Sequence, residues 1–132
     1  MFKEISITTH KKTEFVEITN IIQKIVRESK IVNGICYIYV PHTTAGITIN
    51  ENADRNVIED IQMELNKIIP FDDNYSHSEG NSSAHIKSSL IGNSVCLFVE
   101  NNTLKLGTWQ GIFFCEFDGP RTRNVWIKII KE

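Results

Sequence analysis

Three of the four histidines in this 132-residue chain stand in polar segments beside predicted element ends. His42 lies in PHTTAGITINE, residues 41–51, His77 lies in PFDDNYSHSEGNSS, residues 70–83, and His85 follows closely. Glu51, Asp72, Asp73 and Glu79 are acidic neighbours. Imidazoles beside carboxylates can ligate a divalent ion, zinc most readily, or act as general acid and base near neutral pH. His77 and His85 are eight residues apart, outside the compact zinc patterns, so a shared site requires the fold to assemble it. Unrelated surface or capping histidines would show the same spacing. The apolar run 35–40 is followed by Pro41-His42-Thr43-Thr44. A turn normally uses Gly, Asn or Asp for its unusual backbone angles, so this choice points to a second job. His10, beside Lys11 and Lys12, reads as a solvated turn residue.

Two further stretches could do chemistry. In LGTWQGIFFCEFDGPRTR, residues 106–123, Trp109, Ile112, Phe114 and Phe117 read as core. The turn sequence Asp118-Gly119-Pro120 presents Arg121 and Arg123, whose guanidinium forks suit phosphate or carboxylate, although surface ion pairs explain them equally. Gln110 and Glu116 read either as polar site groups or as strand-face residues. In EGNSSAH, residues 79–85, a helix start offers free N–H groups to an anion, and ordinary capping accounts for the same residues. No Gly-Lys-Ser/Thr follows, which excludes a nucleotide-hydrolysing P-loop.

The elements that must hold these groups follow from periodicity. Residues 2–9 read as a strand around Phe2, Ile5 and Ile7. Ile18, Ile21, Ile22, Ile25 and Val26 make one helical face, with Thr19 as a cap and Asn33-Gly34 as a stop. Residues 35–40 and 46–50 read as β. Asp54 caps a second helix, striped Ile58, Ile61, Leu65 and Ile68 and ended by Pro70. The long polar loop 70–83 leads to a short helix capped by Asn81 or Ser82, running to Leu90 and ended by Gly92-Asn93. Strands at 94–100, 108–117 and 124–130 follow, with Asn101-Asn102 as a hairpin turn. The closing connections are too short for parallel crossovers. The expectation is an α+β fold: a largely antiparallel, two-layer sheet sandwich with flanking helices, forming one domain over residues 1–132.

Composition narrows the partners. Fourteen basic and sixteen acidic residues give a formal net charge of −2 with no basic cluster, which argues against nucleic acid. No apolar run is long enough to cross a bilayer, and Met1-Phe2-Lys3-Glu4-Ile5 lacks the apolar segment of a signal peptide, so no membrane association and a cytoplasmic location are expected. Cys36, Cys96 and Cys115 each stand in an alternating apolar run and read as buried, reduced thiols.

Taken in order, HTTAGITINE at 42–51, DDNYSHSEGNSSAHIKSSLIG at 72–92 and LGTWQGIFFCEFDGPRTR at 106–123 resemble the motifs of the YjbQ family, often labelled secondary thiamine-phosphate synthase. GTWQ at 107–110 followed by DGPR at 118–121 is the most specific piece, and the resemblance spans nearly the whole chain. It implies two packed sheets, a homotrimer, a metal cluster of His42, His77 and His85, and polar site groups at Thr43, Thr44, Asn50, Glu51, Asn81, Gln110, Asp118 and Arg121. Gly46 departs from the small residue, often alanine, usual in the family, and should loosen the turn. Cys115 matches a position that varies, so it is not read as a nucleophile.

The function expected on this resemblance is a metal-binding enzyme acting on a small phosphorylated or otherwise anionic metabolite, with weak thiamine-phosphate synthase activity. His42, Glu51, His85 and Arg121 are its expected catalytic groups. Lys87 joins Thr43, Thr44, Asn50, Asn81, Gln110, Asp118 and Arg121 in binding the ligand. Three histidines suit zinc better than magnesium, whereas pyrophosphate departure usually relies on magnesium held by carboxylates. The thiamine-type transfer therefore reads as incidental to another transfer or a metal-assisted hydrolysis. The alternative is a non-catalytic trimeric module that binds a metal ion or a phosphorylated ligand.

Overall fold

The computed structural model describes all 132 residues. Alternating side chains make its first layer. In the strand Thr122–Lys131, residues 123, 125, 127 and 129 are buried and residues 126, 128 and 130 are exposed. With β1 (Phe2–Thr8), β3 (Gly34–Tyr39), β5 (Ser94–Glu100) and β6 (Thr103–Leu104), this strand, β8, forms a five-stranded sheet of order β1-β8-β3-β5-β6. A second sheet has the order β2-β7-β4, from β2 (Glu14–Glu17), β7 (Gln110–Glu116) and β4 (Ala45–Glu51). Every pairing in both is antiparallel.

The central strand β7 is buried from Gly111 to Glu116, because its sheet is covered on both sides. On one side Ile112 and Phe114, with Ala45 and Ile47, pack against the five-stranded sheet and the helix α1 (Thr19–Ser29). On the other, Phe113 and Cys115, with Phe15 and Phe117, pack under α2 (Arg55–Ile68) and α3 (Ser82–Ile91). That is why the sequence runs Ile-Phe-Phe-Cys there without alternation. The layers are sheet, sheet and helices, the α+β sandwich expected.

Several local expectations change. Thr19 does not cap α1: Ile18 holds the cap position, while the Thr19 hydroxyl accepts the Ile112 N–H and donates to the Glu17 carboxylate. Asp54 does cap α2, accepting the Asn56 N–H at 2.9 Å. Ile68 is exposed and Ile69 takes the inward place, because the helix ends there and the chain swings toward Pro70. Ile21 and Trp109 are exposed as well, Trp109 lying at the open end of β7. Cys96 is exposed because it pairs with Tyr37 on the outer face of its sheet. Cys36 and Cys115 are buried, and burial pushes both thiols up, that of Cys36 to about 12. β2 and β6, at four and two residues, are too short to show a period. Asn101 and Asn102, with φ of 53° and 59°, make the turn between β5 and β6 as a type I′ hairpin requires. No helix is long and apolar enough to cross a membrane.

Candidate anion-binding site

Four strand ends converge at one edge of the two sheets: Thr9 beyond β1, Thr44 before β4, Glu116 at the end of β7 and Arg123 at the start of β8. They form a buried node. Glu116 accepts hydrogen bonds from the Arg123 guanidinium, from the Thr9 hydroxyl at 2.8 Å and from the Asp118 N–H at 3.0 Å. Arg123 also donates to the Thr44 hydroxyl at 2.8 Å and to its carbonyl at 3.2 Å. Burial pushes the Glu116 carboxyl up, but its hydrogen bonds from Arg123, Asp118 and Thr9 outweigh this and hold it below the ordinary value. The pair is ionised and satisfied on every side, the condition under which a buried ion pair is tolerated.

Above the node lies a hollow of about 460 Å³. Its wall is entirely polar apart from Pro41: His42, Thr43, Thr44, His77, Glu79, Asn81, His85, Asp118, Arg121 and Arg123. One adjoining depression adds Tyr75, Ser76, Ser82 and Ile86, another adds Ser88, Ser89, Gly92 and Asn93, and His85 lines all three. The geometry so brings together His42, Thr43, Thr44, His77, Asn81, His85, Asp118 and Arg121.

His42 is anchored from behind, its Nε2 accepting the Asn124 N–H at 2.9 Å. That bond assigns the neutral ring a proton on Nδ1. Burial, and after it the nearby Arg123 charge, lowers the His42 pKa, so the ring is neutral at neutral pH. The His77 and His85 rings meet edge to face with centroids 5.4 Å apart, and His77 Nε2 is 4.0 Å from Glu79. Asp118 gathers the remaining charge. Its Oδ2 accepts from Asn81 Nδ2 at 3.0 Å and Arg121 Nη2 at 3.1 Å, and its Oδ1 is 3.9 Å from Lys12 Nζ. Asn81 stands at the N-cap of α3 without capping it: its Nδ2 is held by Asp118, and its Oδ1 accepts none of the helix's N–H groups.

The three histidines share the hollow without forming a ready-made cluster. The Nε2 lone pair of His42 is spent on a backbone N–H, and no three His, Cys, Asp or Glu side chains are grouped to hold a metal.

The chain matches the YjbQ-like UPF0047 protein family over residues 3–132. It belongs to that family. It is 55% identical over 130 residues to a UPF0047 protein of Methanocaldococcus jannaschii, covering 98% of this chain and 94% of that one. It is 49% identical over 131 residues to the UPF0047 protein YugU of Bacillus subtilis, covering 98% and 99%. Among solved structures, a YjbQ/UPF0047 family protein of Clostridium acetobutylicum superposes with a TM-score of 0.95 at 54% identity, over 97% of this chain and 99% of that one. A YbjQ-like protein of unknown function from Sulfolobus solfataricus gives 0.95 at 36% identity, over 100% and 97%.

In this UPF0047 chain four expected site residues stand elsewhere. Glu51 pairs in register with Gln110 at the far end of β4, and six strand steps from Ala45 put it about 20 Å from the hollow's side of that strand. There Glu51 accepts the Asp54 N–H in front of α2 at 3.2 Å, Asn50 accepts the Glu51 N–H at 2.7 Å, and Gln110 accepts the Gly107 N–H at 2.8 Å. Lys87 does not line the hollow; it is buried, donates to Asn66, and lies 4.4 Å from the Phe71 ring centroid. Burial, then Lys12, lowers its pKa. Conversely, Thr9, Lys12 and the Asn124 N–H are structural parts of the site that sequence reasoning passed over. For the Glu116–Arg123 pair the signal was an acidic residue closing an otherwise apolar strand, seven residues before an arginine.

Proposed function

We propose that the hollow binds the phosphate of a small phosphorylated metabolite, and that the chain is an enzyme acting on that metabolite. The finer reading keeps a weak transfer of the thiamine-phosphate-synthase type, with pyrophosphate as leaving group, incidental to another transfer or to a metal-assisted hydrolysis. The observation that carries the proposal is Arg121 at the rim of a polar hollow: one edge of its guanidinium is held by Asp118, about half of its side chain is open, and Lys12 stands on the same carboxylate, with Glu79 the opposing charge in the wall. Arg123 below is already neutralised by Glu116. A phosphate entering there meets the outer edge of the Arg121 guanidinium, the Nδ1–H of His42, the Thr43 hydroxyl, and the first N–H groups of α3, which no side chain caps. Donors fixed in advance around a leaving pyrophosphate are what such a departure needs. His85, half-buried at the meeting of the three depressions, is the group placed to exchange a proton.

The same reading has the chain assemble as a homotrimer. Support comes from the outer face of the five-stranded sheet, where Phe2, Tyr37, Tyr39, Phe98, Trp126 and Ile130 are exposed together.

Calorimetric titration with inorganic pyrophosphate tests the binding step. The wild-type protein should bind it, and Arg121→Leu should lose about tenfold to a hundredfold in affinity, the worth of one charged hydrogen-bonding group. Equal affinity in the variant would remove Arg121 from the site. Turnover of a pyrimidine diphosphate with a thiazole phosphate, lost in His85→Ala, would support the transfer; binding with no turnover of any phosphate ester would favour the non-catalytic module.

A further inference from the structure

The chain contains one buried side-chain polar atom without a hydrogen-bond partner, Oδ1 of Asn81, and its residue stands in the wall of this hollow. Its orientation is fixed. Asn81 Nδ2 is 3.0 Å from the Asp118 carboxylate and 3.5 Å from that of Glu79, so turning the amide over would aim an oxygen at two carboxylates. Oδ1 is therefore an acceptor that the chain itself leaves without a donor. Buried polar atoms are nearly always paired, and the exceptions require a reason.

We infer that the ligand supplies this donor: it is a phosphate ester carrying a hydroxyl or amino group a few bonds from its phosphorus, and Asn81 Oδ1 reads that group. The inference rests on the phosphate reading above and narrows it. The placement supports it, because the Asn81 amide and the Arg121 guanidinium hold the same oxygen, Asp118 Oδ2, at 3.0 and 3.1 Å. An anion on the guanidinium is then next door to a donor on the amide. Asp118 acts as the spacer that sets both, without itself touching the ligand's charge. Oδ1 is closed off from solvent, so the donor reaches it only as the wall yields slightly. The wall beside it, His77–Gly80, is exposed and belongs to no helix or strand. A simple dianionic alkyl phosphate satisfies Arg121 and leaves Oδ1 unpaired. A hydroxylated or aminated ester satisfies both.

The test compares two probes that differ in their hydroxyls, glycerol 1-phosphate and propyl phosphate, by titration against the full chain. The wild-type protein should prefer glycerol 1-phosphate about fivefold to tenfold, the worth of one neutral hydrogen bond, and Asn81→Leu should bind both alike. Equal binding of the two by the wild-type protein, or an unchanged preference in the variant, would overturn the inference while leaving the phosphate site standing. Binding of neither probe would overturn the phosphate reading and this inference with it. Should Asn81→Leu fail to fold, a crystal structure of the wild-type protein with glycerol 1-phosphate decides: a hydroxyl on Asn81 Oδ1 upholds the inference, and a hydroxyl directed elsewhere ends it.

Discussion

At the residue scale, Glu116 and Arg123 determine whether the hollow has a floor. Both are almost wholly buried, and together they tie the ends of β1, β4, β7 and β8. Removing one partner leaves a buried charge uncompensated, so Glu116→Gln should lower stability by about 3–5 kcal/mol in urea unfolding. Replacing both, as Glu116→Gln with Arg123→Met, should recover a good part of that loss, since well-packed neutral groups do not need the pair. The pH dependence has a definite sign. The folded-state pKa of Glu116 is lowered by its hydrogen bonds, so its contribution is complete above the ordinary carboxylate range and is lost as pH falls through the folded value. His42 acts in the same direction: its folded pKa is also lowered, so the folded chain resists a proton that the unfolded chain accepts, and stability falls as pH drops below the ordinary imidazole range of about 6.5. Urea midpoints measured from neutral to acid pH should therefore fall in two stages in the wild-type protein, and the lower stage should be absent in Glu116→Gln. A single, unchanged acid transition in the variant would mean that Glu116 is not the group responsible.

At the element scale, β4 shows both what the sequence disclosed and what it concealed. Its apolar alternation marks it as a strand, but an extended strand separates the ends of one contiguous motif, so His42 and Glu51 cannot share a wall within one chain. The first two helices were legible because a 3.6-residue stripe survives in any local window, whereas α3, which buries Ser83, Ala84, Lys87 and Ser88, was legible only from its ends at Asn81 and Gly92. The histidines were legible because imidazole is conspicuous in a polar loop. The ion pair beneath them was not, since its meaning depends on the register of four strands, which no local pattern encodes. Gly46 makes the same point. It sits inside β4 and not in a turn; a Cβ there would lie 2.6 Å from the Gly92 carbonyl oxygen, which accepts the Ile47 N–H at 3.1 Å. The glycine lets the end of α3 close against the strand, and the obstacle is backbone, which cannot rotate away. Gly46→Ala should accordingly cost about 1–3 kcal/mol by forcing the two elements apart. Thermal unfolding of that single variant checks it, and a neutral or stabilising result would show that the α3 terminus moves freely.

At the scale of the whole molecule, the two faces of the five-stranded sheet are treated differently. The inner face is closed by the second sheet and α1, whereas the outer face carries Phe2, Tyr37, Tyr39, Phe98, Trp126 and Ile130 in the open, with Trp126 stacked on Tyr39 at 5.7 Å. Isolated exposed apolar residues need no explanation, but five aromatic residues exposed around Lys128 on one sheet face mark an interaction surface. The proposed occupant is another copy of the chain, and the surface should then carry most of the association energy in its aromatic centre. Phe98, at 65% exposure, and Trp126 are the residues to charge, because both project outward from interior positions of their strands, where no backbone hydrogen bond depends on the side chain. Sedimentation velocity should show a trimer for the wild-type protein and a monomer for Phe98→Glu with Trp126→Lys, with the circular dichroism of the fold retained. A wild-type monomer at micromolar concentration would reject self-association and leave the face to a different partner. A trimer that survives both charges would place the interface elsewhere, with the open end of β7 around exposed Trp109 as the next surface to alter.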